Sequence, residues 1–257
     1  MRPPAAAARQ ASIAASFHAH SYLIAGGRER GNTKTGREDK MESFGETGIC
    51  AIRRPFGAEF MANVAAAVDG LLTPKPGTRV FLLPEEVRSA FTAIAAGLAG
   101  KPVRLVRILA FDKTPERNWG VAWHQDRTIA LKARAEAPGF GPWSVKSGVP
   151  HAEPPLVLME DMLVLRYHVD DCGPANGPLK VVPGSHKLGR VPVAEVTRLA
   201  ATSPIVTCAV EAGDVVAMKA LTVHGSGHAV APSHRRILHM DFTSMSLPHP
   251  LEWAIAA

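Results

Sequence analysis

The sequence predicts a mainly β protein with flanking helices: a double-stranded β-helix (jelly roll) core buttressed by N-terminal helices. Two runs with apolar residues at helical spacing come first, around 57–72 and 84–100. After Pro102 the texture changes to short stretches of β-branched and aromatic residues with turn signals between them, the pattern of an antiparallel double sheet. At 257 residues the chain is long enough for one large core, and all-β folds of this size commonly stay single. A single domain is expected over 41–257.

Residues 1–40 are rich in Ala, Arg, Gly and Ser, carry little periodicity and end in Gly31-Asn32-Thr33-Lys34-Thr35-Gly36-Arg37, so a disordered extension is expected. Two alternatives stand beside it: Met41 as the true start of translation, and a basic, acid-poor organelle leader. From Gly57 to Leu72, the residues Phe60, Met61, Val64, Ala67, Val68 and Leu71 make one apolar stripe, and Pro74 closes the run. In the second helix Pro84, Glu85 and Glu86 suit a first turn, where the missing N–H costs nothing and carboxylates face the positive dipole end. Val87, Phe91, Ile94, Ala95 and Leu98 give its stripe, and Gly97 and Gly100 end it.

Strands are predicted over Val103 to Phe111, Trp119 to Asp126 and Thr128 to Ala133. The stretch from Ala137 to Pro155 is too rich in Pro and Gly for regular structure and too long for a tight turn, so it is read as a lid. Further strands are expected over Met162 to Val169, Leu179 to Val182, Ile205 to Val210, Asp214 to Lys219, Leu221 to His224 and Arg235 to Phe242. Pro183-Gly184-Ser185-His186 reads as a turn and Val193 to Ala200 as a short helix.

The formal net charge is +6, but +4 of it belongs to residues 1–40 and the rest of the chain is nearly neutral. No basic stripe interleaved with aromatics would track a phosphate backbone, so no nucleic-acid partner is expected. Cys50, Cys172 and Cys208 are odd in number and lack the short paired spacing of a zinc or redox motif, which points to a reduced, cytoplasmic setting. No window is apolar over the eighteen or so residues that a bilayer span needs, so no membrane partner is expected. Oligomeric state is not legible.

The chemistry gathers around Trp123-His124-Gln125-Asp126. On a strand, His-x-Asp puts an imidazole and a carboxylate on one face. With one more histidine from a distant strand they make the two-histidine, one-carboxylate face that holds non-heme Fe(II) and leaves positions open. The candidate partner is His224, in Thr222-Val223-His224-Gly225-Ser226-Gly227, a hundred residues on. Zinc also accepts His and Asp with an open position, so a metal hydrolase stands as an alternative at this point.

Three segments together carry a resemblance: Trp123-His124-Gln125-Asp126; Asn176-Gly177-Pro178-Leu179-Lys180-Val181-Val182-Pro183-Gly184-Ser185-His186-Lys187; and His224-Gly225-Ser226-Gly227 with Arg235 eleven residues after the histidine. In order and spacing, over roughly residues 100–245, the chain resembles the phytanoyl-CoA dioxygenase group of Fe(II)/2-oxoglutarate dioxygenases. The resemblance implies His124, Asp126 and His224 as metal ligands and catalytic centre, with Fe(II), 2-oxoglutarate and dioxygen as the reacting set. The family reaction hydroxylates an unactivated C–H bond of a small organic substrate and releases succinate and carbon dioxide. An intact Asp126 argues against the related halogenases, which carry a small residue there. The resemblance also implies Arg235, at the family's spacing from the histidine, with Ser226, for the distal carboxylate of 2-oxoglutarate, the fork of an arginine suiting a carboxylate.

Arg236 stands beside Arg235 as the fallback. Alternation puts Arg236 with Leu238, Met240 and Phe242, and Arg235 with Ile237, His239 and Asp241; the second face is the more polar. Arg166 falls where relatives place a pocket-lining strand residue, often aromatic; it either binds a carboxylate or pairs with Asp170. His186 is assigned to shaping its turn, and His168, His228, His234 and His239 to pocket wall or surface. Trp143 and Lys146 in the lid, and Lys113 and Asn118 ahead of the first ligand, stand open between a site role and a structural one. The rival from another class is a non-catalytic jelly-roll module that keeps metal or ligand binding without turnover. The molecule oxidised is not legible, because fold-level analogy does not choose a substrate.

Overall fold

In the computed structural model the described residues are 43–255 apart from 74 and 76. The expectations for residues 1–40, for Met41 and for Pro74 lie outside them. Among the described residues the strands form three antiparallel sheets, with helices outside the largest.

That sheet has six strands in the order β1 (Ile49–Ile52), β11 (Val215–Lys219), β8 (Leu163–His168), β13 (Arg235–Thr243), β3 (Arg104–Lys113) and β2 (Thr78–Val80). The opposing sheet has four, β10 (Val206–Cys208), β9 (Leu179–Val181), β12 (His224–Ser226) and β4 (Val121–His124). Alternation along β8 explains the layering. Leu163, Leu165 and Tyr167 join one core with the helices, while Val164 shares a second core with Leu179, Val181 and Cys208 of the opposing sheet. Both faces of the large sheet are therefore buried, as in a jelly roll with helices packed outside.

Helices α1 (Ala58–Leu71) and α2 (Glu85–Ala99) cover the outer face. Their stripes are those read from spacing: Val64 and Val68 from α1, Val87, Phe91 and Ala95 from α2, all buried in the first core. Phe91 meets Tyr167 edge-on with ring centroids 5.4 Å apart. Burying such a ring contributes about 1.5–3 kcal/mol, so this contact fastens helix to sheet more firmly than any surface pair. Gly100, in the left-handed region at φ 67°, caps α2, whereas Gly97 lies within the helix and does not end it.

The stretch expected to lack regular structure contains a hairpin. β6 (Trp143–Lys146) and β7 (Val149–Ala152) pair with each other and with β5 (Ile129–Ala130), forming the third sheet. Ser147 and Gly148 both take positive φ, as a two-residue hairpin turn requires. A short helix α3 (Leu156–Asp161) follows, and α4 (Val193–Thr202) packs Val196, Leu199 and Ala200 onto the outer side of the small sheet beside Val223 and Trp123. No helix among the described residues is long and apolar enough to cross a membrane.

Candidate metal centre and its charged surroundings

His124 ends β4 and His224 begins β12, and the two residues are direct partners in the antiparallel ladder. Their rings lie 4.2 Å apart, centroid to centroid. Each Nδ1 sits 2.8 Å from the carbonyl oxygen two residues earlier, Ala122 for His124 and Thr222 for His224. A carbonyl only accepts, so each Nδ1 carries the proton and each Nε2 keeps a free lone pair.

Asp126 reaches the pair by a different route from the one strand alternation implies. The strand stops at His124, and Gln125 turns into the protein, where its Nε2 donates to the carbonyls of Gly189 (2.9 Å) and Leu221 (2.7 Å) and its Oε1 accepts from the Val191 N–H (2.9 Å). Asp126 is held next by its own N–H on the Ala220 carbonyl at 3.0 Å. Its Oδ1 lies 4.0 Å from His124 Nε2 and its Oδ2 3.7 Å from His224 Nε2. One donor atom from each residue falls within 4.8 Å of the others, and Asp126 Oδ2 is buried without a hydrogen-bond partner.

Protonation fits the same purpose. Burial pushes His224 down to about 3, with Asp126 pulling against it and His124 adding to it, so the imidazole is neutral. Burial alone would raise the Asp126 carboxyl, but Arg107 first, then His224, His239 and His124, hold it well below the usual carboxylate range. Two imidazoles that turn Nε2 towards the site and one ionised, unpartnered carboxylate oxygen are a donor set that suits iron.

Behind Asp126 lies a buried charge chain that the sequence reading did not foresee. Arg107 on β3 is the direct partner of Asp241 on β13, at a register shift in the ladder. The shift leaves Val106 unmatched, so that Val106 joins the core between the sheets although Arg107 also points inward. Arg107 Nε is 2.5 Å from Asp241 Oδ2, and one of its Nη atoms is 3.4 Å from Asp126 Oδ1. His239 Nε2 lies 2.8 Å from Asp241 Oδ1, and Arg166 donates to His239 Nδ1 at 3.0 Å. Because arginine only donates, the His239 proton sits on Nε2, which lies beside Asp241 without an aligned hydrogen bond. A charged residue alone in a run of apolar ones, Arg107 in Leu105–Phe111 and Asp241 before Phe242, was the available signal.

At the other end of the same sheet face, Arg235 opposes Lys113 directly, and both are buried. The Arg235 guanidinium donates to the Gly177 carbonyl; Lys113 Nζ donates to the Gly227 carbonyl at 2.9 Å and to Ser226 Oγ at 3.4 Å. Gly177 holds φ 58°, and a Cβ there would stand 2.8 Å from the Gly227 oxygen, so only glycine keeps this junction closed. Arg166, opposite His239, is two same-face rows further along, with the row of Phe111, Ile237 and His168 between. Among the described residues no carboxylate ion-pairs with the side chains of Lys113, Arg166 or Arg235. Burial, then the charge of Arg235, pushes Lys113 down to about 8 and Arg166 to about 10.

Arg236 faces the opposite way, as alternation predicts. It binds Asp170 through Nε (3.0 Å) and Nη (2.5 Å), and Asp69 at 2.7 Å. Asp170 is thus the partner of Arg236, which removes the Arg166–Asp170 pair; Arg166 is turned inward to His239 instead. His186 is structural: its Nε2 meets the Gly45 carbonyl at 3.1 Å. His168 and His239 are buried and line the interior, while His228 and His234 are exposed. Asn118 is neither a loose loop residue nor a ligand, since its amide exchanges two hydrogen bonds with the Ala229 backbone at 2.9 and 2.8 Å. Trp143 packs on the second core beneath Arg134, and Lys146 donates to Thr128 Oγ1 at 2.9 Å.

Solved structures share this architecture. A protein from Streptomyces viridochromogenes Tue57, AviO1, is 23% identical with a TM-score of 0.60, covering 84% of this chain and 99% of its own. SnoK, a non-heme alpha-ketoglutarate-dependent carbocyclase from nogalamycin biosynthesis, is 20% identical with a TM-score of 0.60, covering 85% and 87%. The epimerase SnoN, solved with Fe3+, alpha-ketoglutarate and nogalamycin RO, is 18% identical with a TM-score of 0.62, covering 87% and 94%. No curated protein matches the chain. These likenesses carry the fold, and the sequence carries the family: the phytanoyl-CoA dioxygenase (PhyH) family matches over residues 44–237, most of the chain. The chain therefore belongs to the phytanoyl-CoA dioxygenase family of iron- and 2-oxoglutarate-dependent oxygenases.

Proposed function

We propose that His124, Asp126 and His224 hold Fe(II) and that Arg235, with Ser226, receives the distal carboxylate of 2-oxoglutarate, in an enzyme that hydroxylates a C–H bond of a small organic molecule. The observation that carries this reading is the convergence of three ready donor atoms within 4.8 Å, both imidazoles protonated on Nδ1 and the carboxylate ionised. When bound, iron with 2-oxoglutarate and dioxygen supplies the oxidising step, and succinate and carbon dioxide leave.

The chain's own residues do the rest. The carbonyls of Ala122 and Thr222 fix both imidazoles in the tautomer that presents Nε2. Arg107 holds Asp126 ionised and oriented. Lys113 and Arg166 add positive charge beside Arg235, so a dicarboxylate finds three buried cations with no competing acid. Ser226 accepts from Lys113 and keeps its own O–H free to donate. Residues 41–257 act as one domain in this reading, and the three buried cysteines, none in a disulfide among the described residues, suit a cytoplasmic setting.

The test is succinate formation from 2-oxoglutarate by purified protein with Fe(II) and dioxygen. Slow turnover is expected even without substrate, and its loss is expected in an Asp126→Ala, His224→Ala double variant. Unchanged turnover in that variant overturns the ligand assignment. Metal and 2-oxoglutarate binding with no turnover under any condition would instead leave the non-catalytic binding module.

A further inference from the structure

Around the Arg107 end of the interior stands a second group of cations, set apart from Arg235. Arg79 sits on β2 opposite Leu109, on the sheet face that also carries Arg107 and His239. Its Nε and one Nη are buried without a hydrogen-bond partner, and it makes no ion pair among the described residues. The β6–β7 hairpin contributes Lys146 and His151 to the same neighbourhood. Lys146 Nζ donates to Thr128 Oγ1 at 2.9 Å and Arg107 donates to the Thr128 carbonyl at 3.4 Å, so both cations converge on a residue two positions after Asp126. His151 is fully buried; its Nδ1 meets the Val149 carbonyl at 2.8 Å, which leaves Nε2 a buried acceptor with no donor. Burial first, and then the charges of Arg79, Lys146 and Arg107, push His151 down to about 4.

Arg107 is neutralised by Asp241 and Asp126. Arg79 has no such partner and leaves buried donors unmet, while Lys146, exposed on the hairpin, has no carboxylate partner; the two repel one another and Arg107. An anion between them would remove all three penalties. The 2-oxoglutarate carboxylate assigned to Arg235 is not that anion. Along β3 the register partners of Arg235 and Arg79, Lys113 and Leu109, are four residues apart, about 13 Å at strand rise.

We propose that Arg79 and Lys146 form the subsite for an anionic group, a carboxylate or a phosphate ester, on the molecule that is oxidised. Calling that molecule the substrate rests on the oxygenase reading above; the anion site stands on its own geometry. Arg79 supplies a planar fork from the rigid sheet, and Lys146 supplies a point charge from the hairpin. The hairpin thereby takes part in selecting charge.

The test is titration calorimetry on protein loaded with Fe(II) and 2-oxoglutarate under anaerobic conditions, with n-butyrate, n-butyl phosphate and n-butylamine as probes. Binding of at least one anion and none of the amine is expected, and which anion binds separates carboxylate from phosphate. Affinity should fall about tenfold or more in Arg79→Gln and in Lys146→Gln, be partly restored in Arg79→Lys, and persist in Lys132→Gln, an exposed lysine paired with Glu252. Retained 2-oxoglutarate binding in each variant reports that it has folded. Absence of anion binding to wild-type protein, equal binding of the amine, or undiminished binding in both Gln variants overturns the proposal. Wild-type protein that forms succinate but binds neither anion sinks this inference alone, whereas wild-type protein that forms no succinate sinks the oxygenase reading, and its anion titration still decides the subsite.

Discussion

The interior face of the large sheet treats its cations in opposite ways at its two ends. Near Asp126, Arg107 is enclosed by Asp241 and Asp126, and the pull of the two carboxylates outweighs burial and raises its pKa above the ordinary value. At the far end Arg235 and Lys113, with Arg166 between the two ends, share no carboxylate, and burial lowers all three. A compensated charge is finished structure; it positions its neighbours whether or not a ligand is present. An uncompensated buried charge is destabilising in the empty protein and becomes favourable when an anion arrives.

The largest effect should come from breaking the compensated end. Arg107→Met strands Asp241 and weakens the hold on Asp126, and is expected to cost about 3–5 kcal/mol in urea unfolding, the range for removing one partner of a buried pair. A cost below about 1 kcal/mol would mean that this end is not compensated as described. Next comes Arg235→Ala, which should raise the KM for 2-oxoglutarate about 10–100-fold while leaving the fold intact. Arg236→Ala should leave that KM within about twofold and lose about 1 kcal/mol of stability with its outward pairs to Asp170 and Asp69. The reverse ranking would place the wrong arginine at the cosubstrate.

Lys113→Met sharpens the contrast because its two effects have opposite signs. The empty protein should become more stable, since a buried cation among cations is removed, while 2-oxoglutarate binding weakens about tenfold. The smallest expected effect is in pH. Lys113 has its folded value near 8 against an ordinary 10.5, so below 8 it is charged in both states and the folded state bears the repulsion. The unfolded chain binds more protons between about 8 and 10.5, so this group's contribution to stability rises through that window. Affinity for 2-oxoglutarate should run the other way, falling as pH rises through about 8, and the Lys113→Met variant should lack that step.

Legibility in the sequence followed the range of the interaction. The stripes of α1 and α2 and the opposite facing of Arg235 and Arg236 depend on local periodicity, and they stand where spacing put them. Which residues oppose each other across strands depends on register, and the shift at Asp241 that aligns Arg107 with it has no local signature. Asp126 shows the same limit. Strand alternation expected it beside His124, but it arrives there because Gln125 is anchored to three distant backbone groups. The β6–β7 hairpin is hidden for another reason: prolines and glycines on either side obscure Ser147-Gly148, a two-residue turn between short strands. The charged chain of Arg107, Asp241 and His239 was in principle visible as polar residues inside apolar strands, but their partners were not.

The direct pairing of His124 with His224 also bears on how the protein is made. The ladder between β4 and β12 joins positions a hundred residues apart, and β9 must already lie beside β12 for the small sheet to exist. Contacts of such sequence separation close slowly, because loop entropy is lost before they reward it. An unfolded chain offers no assembled ligand set, so metal binds the native state alone and stabilises it by mass action. Iron should then slow unfolding while leaving the folding rate nearly unchanged, which makes the protein's lifetime, rather than its rate of formation, the quantity that responds to metal supply.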